Sequence, residues 1–328
     1  MAGSKSRAAF PASEVLGKPR YVWIFSFFLL LAVSCKNYGE KTLPLSKPLI
    51  ALSIVPQEWF AARIAGDFAS FLVLAGPGQN PHSYEPAPRD MALLARAECW
   101  ILSGTEFEIS LVPRVASQNP SLKIIDGTKG MRFRMLEEHH DDDEEAGGEA
   151  VPAGSPSGHA AVPGQAGMDR HTWLGREQAI VLAGHILAAL EDIDSEHSAV
   201  FRENYRSLVA DINRVFDELK TELAPLRGRK VFVYHPAFGY FLDEFGIIQE
   251  AVETGGKEPT PRVLRELIAE VRAEKAAAVF VQAQFPVQSA RTVAEAAGAR
   301  VVALDPLAPL WLDNIRVMGN ALLEAVQP

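Results

Sequence analysis

The stretch LIALSIVPQEWFAARIAGDFASFLVLA, residues 49–75, places a helical pattern near Glu58 to Ala65 between two short apolar runs. Apolar runs of this length, bounded by turn residues, predict strands. The alternation continues through a helical pattern at 88–97, the strand CWILS at 99–103, a short helix at 109–116 that Pro113 disturbs, and the strand LKIID at 122–126. Strands that alternate with helices predict a doubly wound α/β domain.

A second alternation of the same kind begins after Arg227. Its strands are predicted at KVFVY (230–234), IIQEAV (247–252), AAAVFVQ (276–282) and RVVALD (300–305), with helical patterns between them. Apolar side chains at steps of three and four predict one long helix ahead of it. The fold class is therefore α/β, with two doubly wound lobes, residues 48–194 and 227–328, joined by a long linking helix at 195–226.

The N-terminus has the pattern of an export signal. Two basic residues precede the apolar run YVWIFSFFLLLAV at 21–33, and this run leads directly to Cys35. The run is too short for an ordinary membrane span, which takes about 20 residues. Residues 1–34 resemble a bacterial lipoprotein signal, although Ala32 stands where Leu is usual. Cleavage would leave a lipid-modified Cys35, which anchors the mature chain to a membrane through a tether at 35–47. A plain signal peptide or an uncleaved anchor is the alternative.

Bulk composition excludes some classes of function. The chain of 328 residues is 48% apolar, which allows a sizeable core, and its formal net charge of -9 argues against nucleic acid as a partner. Apart from Cys35 the sequence has one cysteine, Cys99, which starts a predicted strand and is expected to be a small buried residue.

Three histidines and one aspartate stand in loop or strand-end contexts. They are His82 in GPGQNPHSYEP, His171 in DRHTWL, His235 in VFVYHPAFGYF and Asp305 in VVALDPL. Ligands of α/β sheets gather outside the carboxyl ends of the strands, and three imidazoles with a carboxylate make a good tetrahedral donor set for zinc. No compact metal motif joins these residues, and a single histidine in such a context is more often a hydrogen-bonded structural residue.

The sequence segments around these four residues, and the order of the segments along the chain, are more informative than the spacing of the four residues. IALSIVP, IAGD, PGQNPHSYEPAPRD and LLARAE, followed by DRHTWL, HPAFGYFLDEFG, GGKEPTPRVL and AGARVVALDPL, resemble the metal-binding proteins of zinc and manganese ABC importers. This resemblance covers nearly all of the chain after Pro48 except an acidic segment. It implies two lobes bridged by a rigid helix with the metal in the cleft. It makes His82 and His171 ligands from the N-terminal lobe, and His235 and Asp305 ligands from the C-terminal lobe.

Three positions depart from the family pattern without removing a proposed ligand. Asn80 stands where Asp is usual, Arg170 where Pro is usual, and Gln282 where Glu is usual. Hydrogen bonds around metal-binding imidazoles orient the rings and tune affinity, so these replacements can change both.

The resemblance also implies the cargo and the partner. His235 occupies the position where manganese-type relatives carry a carboxylate, and imidazole suits zinc better than manganese, so Zn²⁺ is favoured, with manganese and iron left open. The partner is an ABC permease, and the mature chain is expected as a monomer on the periplasmic or cell-surface side of a membrane. Because protons compete for imidazole, metal affinity is expected to fall below a pH of about 6.5.

The acidic segment runs from 137 to 169 and begins EEHHDDDEEAGGE. It has no periodic apolar residues and predicts a mobile loop. It resembles the His- and acid-rich loop of zinc-binding relatives, in which His139 and His140 would hold metal weakly and pass it to the cleft. The alternative is a solvated charge run that keeps the chain soluble.

Two further functions compete with transport. A zinc hydrolase would use the same histidines, but four protein ligands leave no open position for water, and HExxH, GxSxG and P-loop motifs are absent from the sequence. The chain is therefore predicted not to be an enzyme, with no catalytic residues. A surface adhesin is the second alternative, and it is compatible with metal transport. His185 and His197 lie on helical patterns and are expected to be structural or exposed.

Overall fold

A computed structural model describes residues 47–136, 167–253, 260–285 and 288–326. The signal segment, Cys35, His139 and His140 lie outside these residues. The described residues form two four-stranded parallel sheets with one long helix between them in sequence, which confirms the predicted fold class. Within the described residues, no helix is both long and apolar enough to cross a membrane.

The first sheet forms the N-terminal lobe. Its strands are β1 (Leu49–Ile54), β2 (Ser70–Ala75), β3 (Cys99–Leu102) and β4 (Lys123–Asp126), and their order in the sheet is β2-β1-β3-β4. The helices of this lobe are α1 (Val55–Ala65), α2 (Pro88–Leu94), α3 (Glu106–Gln118) and α4 (Arg176–Ile193). Cys99 is fully buried at the start of β3, as the sequence predicts.

The second sheet repeats the same topology in the C-terminal lobe. Its strands are β5 (Lys230–Val233), β6 (Ile248–Ala251), β7 (Ala278–Val281) and β8 (Arg300–Ala303), in the order β6-β5-β7-β8. Helix α5 (Ser198–Glu222) precedes this lobe, which contains α6 (Gly239–Glu244), α7 (Pro261–Ala273), α8 (Gln288–Ala297) and α9 (Trp311–Val326). In both sheets the order in which strands are added reverses between two neighbouring strands, β1 and β3 in the first sheet and β5 and β7 in the second. Such a switch point is where α/β proteins bind their ligands.

Helix α5 packs against elements of both lobes. Its 25 residues span about 37 Å at 1.5 Å per residue. One stripe of the helix, which includes Phe201, Ile212 and Phe216, is fully buried. The helix contacts α1 and α4 of the N-terminal lobe and α9 of the C-terminal lobe. One continuous apolar core therefore crosses from one lobe to the other.

Aromatic side chains contribute to the apolar core that the two lobes share. The ring of Trp311 in α9 lies 4.8 Å, between centroids, from the ring of Phe60 in α1. Its indole Nε1 also donates a hydrogen bond of 2.8 Å to the carbonyl oxygen of Trp173. Large buried aromatic contacts of this kind hold two lobes as one packed unit.

Several helices differ from their predicted extents: α1 begins at Val55 and α2 ends at Leu94, and the differences at α3 and α6 have a structural reason. Helix α3 runs without a break from Glu106 to Gln118, so the prediction of a short helix disturbed by Pro113 is wrong. The reason is tertiary packing, because Phe107, Leu111 and Val115 bury one face of the helix and offset the hydrogen bond that proline cannot donate. The helical pattern between KVFVY and IIQEAV starts at Pro236, but helix α6 begins at Gly239, since the preceding residues form the turn that carries His235.

Candidate metal centre

Three loops carry the three predicted histidine ligands, and two of these loops follow a strand directly. His82 lies in the loop after β2, where its backbone N–H donates to Asn80 Oδ1 at 2.9 Å. His171 precedes a short 3₁₀ turn, Thr172–Leu174, that leads into α4. His235 follows β5, and its carbonyl oxygen accepts a 2.8 Å hydrogen bond from Gln282 Nε2. Local hydrogen bonds thus fix the backbone next to each imidazole.

The three imidazoles converge on one point. The Nε2 atoms of His82 and His171 are 3.3 Å apart, and those of His171 and His235 are 3.1 Å apart. A ligand nitrogen from each of the three rings lies within 4.8 Å of the others. This cluster joins the two lobes, because His82 and His171 come from the N-terminal lobe and His235 from the C-terminal lobe.

Each imidazole has a carboxylate beside its other nitrogen. The Nδ1 atom of His82 lies 3.0 Å from Glu106 Oε2. The Nδ1 of His171 lies 2.8 Å from Asp169 Oδ1, and the Nδ1 of His235 lies 2.7 Å from Glu253 Oε1. A carboxylate at Nδ1 holds the proton on that nitrogen and leaves the lone pair on Nε2 for a metal. All three rings therefore present the donor atom that a cation needs.

Charge and burial set the protonation of two of these rings in opposite directions. Burial disfavours the charged form of His82, but the hydrogen bond and the charge of Glu106 outweigh it and raise the pKa of His82 above its usual value. For His235, burial and the neighbouring imidazoles lower the pKa far below its usual value. Burial and the neighbouring rings therefore favour the neutral form of His235, which can coordinate a metal. The raised pKa of His82 means that protons compete with a metal for this ring at a higher pH than for an ordinary histidine.

The carboxylate partners are also perturbed. Burial raises the pKa of Glu106 and of Asp169, but hydrogen bonds and charge from the adjacent imidazoles outweigh it, and both pKa values are lowered overall. Both groups are consequently ionised at neutral pH. Negative charge close to the cluster favours a bound cation.

Asp305 is not part of the cluster of three histidines. It follows β8, and its Oδ1 accepts hydrogen bonds from Gln284 Nε2 at 3.0 Å and from the backbone N–H of Leu307 at 2.9 Å. Among the described residues, the side chains close enough together to share a metal ion are those of the three histidines. The next residue, Pro306, accepts a 2.8 Å hydrogen bond from Trp173 Nε1, so the Asp305 loop is tied to the segment that carries His171.

The three departures from the family pattern have visible roles. Asn80 supplies the side-chain oxygen that closes the turn before His82. Arg170 donates from Nη1 to the carbonyl oxygen of Gly104 at 2.8 Å, and its Nε lies 3.9 Å from Glu106 Oε1. Gln282 is fully buried and bridges to the His235 backbone. Each replacement therefore supports a loop or a carboxylate of the cluster.

Sequence reasoning missed the three carboxylates. Asp169 is two residues before His171, and this spacing could have revealed it. Glu106 and Glu253 each follow a strand of the sheet, at the edge where ligands gather, but nothing in their own sequence context distinguishes them from other acidic residues. The two remaining described histidines have structural partners: His185 Nε2 is 2.8 Å from the carbonyl oxygen of Lys129, and His197 Nδ1 is 2.7 Å from Asp194 Oδ2.

Two parallel-sheet lobes with three carboxylate-backed imidazoles at their junction define a metal-binding protein of the two-lobed substrate-binding class. The family is shown by comparison. The model of the family described as zinc-uptake complex component A periplasmic, ZnuA, matches residues 50–325. The chain belongs to this family. It is a substrate-binding protein that acts outside the cytoplasm and delivers a metal, zinc in the family's description, to an ABC importer.

Individual relatives agree with this assignment. A crystal structure of ZnuA is similar with a TM-score of 0.74 at 29% identity, covering 85% of this chain and 99% of that chain. A ZnuA deletion mutant with zinc bound has a TM-score of 0.73 at 29% identity and covers 86% and 100% of the two chains. The zinc-binding lipoprotein AdcA of Streptococcus pneumoniae is 25% identical over 297 residues, and the match spans 90% of this chain but 56% of AdcA.

Proposed function

We propose that this chain captures Zn²⁺ with His82, His171 and His235 and releases it to the permease of the importer. The observation that carries the proposal is the convergence of three Nε2 atoms, each backed by a carboxylate at Nδ1. Nitrogen donors in a tetrahedral set suit zinc, while manganese prefers more carboxylate and water oxygens. The ZnuA mutant structure with zinc bound is consistent with this cargo. Manganese is the second cargo to test.

Asp305 is the fourth ligand in this proposal. Its loop is held next to the His171 segment by the hydrogen bond from Trp173 to Pro306. Binding of the metal would exchange the Gln284 amide at Asp305 Oδ1 for the cation. A fourth protein donor closes the coordination sphere, which fits a carrier and leaves no open position for a catalytic water. The metal-loaded chain is accordingly expected to show no hydrolase activity.

Two features outside the described residues belong to the same proposal. A lipid on Cys35 would hold the monomeric chain at a membrane, close to the permease, through the tether at 35–47. The acidic loop, with His139 and His140, would bind zinc weakly and raise its local concentration near the cleft. The domain limits are those given by the sequence: lobes at 48–194 and 227–328, with the linking region at 195–226.

The test is a zinc titration of the mature chain in competition with a chromophoric chelator. Wild type is compared with His235→Ala, with a deletion of 137–166, and with His185→Ala as a matched control, because His185 lies away from the cluster. One tight zinc equivalent is expected in wild type, in the deletion and in the control, and it should be lost in His235→Ala. Tight binding that survives in His235→Ala and disappears in the deletion would place the site in the acidic loop instead. A parallel Mn²⁺ titration decides the cargo.

A further inference from the structure

Arg134 lies between the two lobes, next to the metal centre but outside it. Its Nη1 is 2.9 Å from Asp169 Oδ2, and its Nε is 2.9 Å from Asp243 Oδ2. Asp169 belongs to the segment that carries His171, whereas Asp243 is in helix α6 of the C-terminal lobe. The Arg134 side chain is 13% exposed and the Asp169 side chain is fully buried. One guanidinium therefore connects a buried carboxylate of the centre to the opposite lobe.

Asp169 uses its two oxygens for different partners. Oδ2 faces Arg134, while Oδ1 accepts hydrogen bonds from His171 Nδ1 at 2.8 Å and from the His171 backbone N–H at 2.9 Å. The guanidinium restricts rotation of the carboxylate, and the carboxylate restricts rotation of the imidazole. The direction in which His171 Nε2 points thus depends on Arg134.

Two residues at the start of α6, Gly239 and Tyr240, lie next to Arg134. The Tyr240 hydroxyl accepts a 3.0 Å hydrogen bond from the Arg134 backbone N–H and donates a 2.9 Å hydrogen bond to the carbonyl oxygen of Asp169. Gly239 lies under the guanidinium, and a Cβ at this position would collide with Arg134 Nη1. Helix α6 thus contacts the Arg134–Asp169 pair through the Asp243 carboxylate, the Tyr240 hydroxyl and the Gly239 backbone.

We propose that Arg134 is a positioning residue that couples the orientation of His171 to the placement of helix α6, and so sets metal affinity through the contact between the lobes. The inference rests on the proposed function, since it takes His171 as a ligand. Removing the arginine leaves the buried Asp169 carboxylate without its cationic partner, and only the hydrogen bonds to His171 and its backbone N–H then restrict rotation of the carboxylate. Loss of a residue that orients a metal-binding imidazole typically weakens metal affinity about 10- to 100-fold.

The experiment measures the zinc Kd by chelator competition at fixed pH, together with the melting temperature of the metal-free chain. The matched control is Arg132→Gln, because Arg132 is 83% exposed and pairs with Glu177 at the surface. Arg134→Gln should raise the Kd about 10- to 100-fold. Arg134→Lys keeps the charge and should recover part of this loss, whereas Arg132→Gln should bind zinc like wild type. An unchanged Kd in Arg134→Gln, even with a lower melting temperature, would overturn the proposal.

A second variant tests the link to the opposite lobe in a chain that keeps Arg134. Asp243→Asn removes the negative charge of the half-exposed side chain in α6 that pairs with Arg134 Nε. It should raise the zinc Kd of the wild-type protein but add little in the Arg134→Gln background. Both substitutions interrupt the same series of contacts, from Asp243 through Arg134 to Asp169. Wild-type affinity in Asp243→Asn would overturn the coupling to α6. His235→Ala, titrated alongside, reports on the metal site itself: if it binds zinc normally, the proposed function fails whatever Arg134 does.

Discussion

The Nε2 atoms of His171 and His235 lie 3.1 Å apart, although 64 residues separate them in sequence and each belongs to a different lobe. Zinc–nitrogen bonds of about 2.0–2.1 Å in a tetrahedron place two donor atoms about 3.3 Å from each other. The spacing of the two imidazoles, and the 3.3 Å between His82 and His171, therefore match a zinc coordination sphere. Any rotation of one lobe against the other changes the distance between His171 and His235, which lie in different lobes, and leaves the distance between His82 and His171 unchanged. Cargo binding and lobe contact are therefore physically linked.

Zinc affinity is expected to fall on acidification from a pH above the usual histidine value. The pKa of His82 is raised, so this ring is protonated at a pH where an ordinary histidine, with a pKa of about 6.5, has lost its proton. A protonated imidazole has no free lone pair, and affinity must decrease as the pH falls through the raised pKa. Zinc titrations between about pH 5 and pH 8 measure the onset. In Glu106→Gln the onset should move to lower pH, because the carboxylate that raises the pKa is gone; an unchanged onset would contradict this origin of the shift.

Removing the metal should lower the thermal stability of the chain. A ligand that binds the folded state stabilises it by about 2.7 kcal/mol when its concentration is 100 times the Kd. Melting curves recorded with excess zinc and after treatment with a chelator should differ by several degrees in wild type. His235→Ala serves as the control, and its two curves should coincide.

Trp311→Phe should destabilise the metal-free chain. The substitution removes the indole N–H that donates to the Trp173 carbonyl oxygen and leaves this buried acceptor unpaired, at a cost of about 1–3 kcal/mol. Urea unfolding measures the change in free energy. Val317→Ala, at an exposed position on the same helix, should stay within about 0.5 kcal/mol of wild type. Equal effects of the two substitutions would mean that the hydrogen bond between Trp311 and Trp173 contributes nothing.

Two glycines in helices should respond to alanine in opposite directions. A Cβ at Gly319 in α9 would collide with the buried Leu219 side chain of α5, and overpacking of this kind outweighs the gain in helix propensity. At Gly184 in α4 the nearest atom, the Tyr205 hydroxyl, is 3.7 Å from a Cβ, so alanine fits. Gly319→Ala should lose about 1 kcal/mol of stability and Gly184→Ala should gain about 0.5–1 kcal/mol. Thermal unfolding of both variants provides the comparison.

Local pattern was sufficient to predict most of the fold. Strands such as Leu49–Ile54 and Ala278–Val281 are short apolar runs between turn residues, and the predicted long helix between the lobes appears as α5. Pro113 was misleading because the burial of Phe107, Leu111 and Val115 in α3 depends on tertiary contacts that a local pattern does not contain.

The candidate site could be predicted in part. His82, His171 and His235 stand out by their contexts, and the structure places them together. The carboxylates behind them, Glu106 and Glu253, could not be found because only the folded chain brings them to the imidazoles. The role of Asp305 stays a prediction, since its Oδ1 contacts Gln284 and Leu307 in this structure.

The uneven exposure of the three imidazoles has a kinetic consequence. The His82 side chain is 29% exposed, whereas those of His171 and His235 are 6% and 10% exposed. With His82, His171 and His235 as the proposed ligands, a hydrated ion from solution would reach the exposed His82 ring first and the two buried nitrogens afterwards. Release would follow the reverse path. The loop after β2 would then be the entrance and the exit of the site.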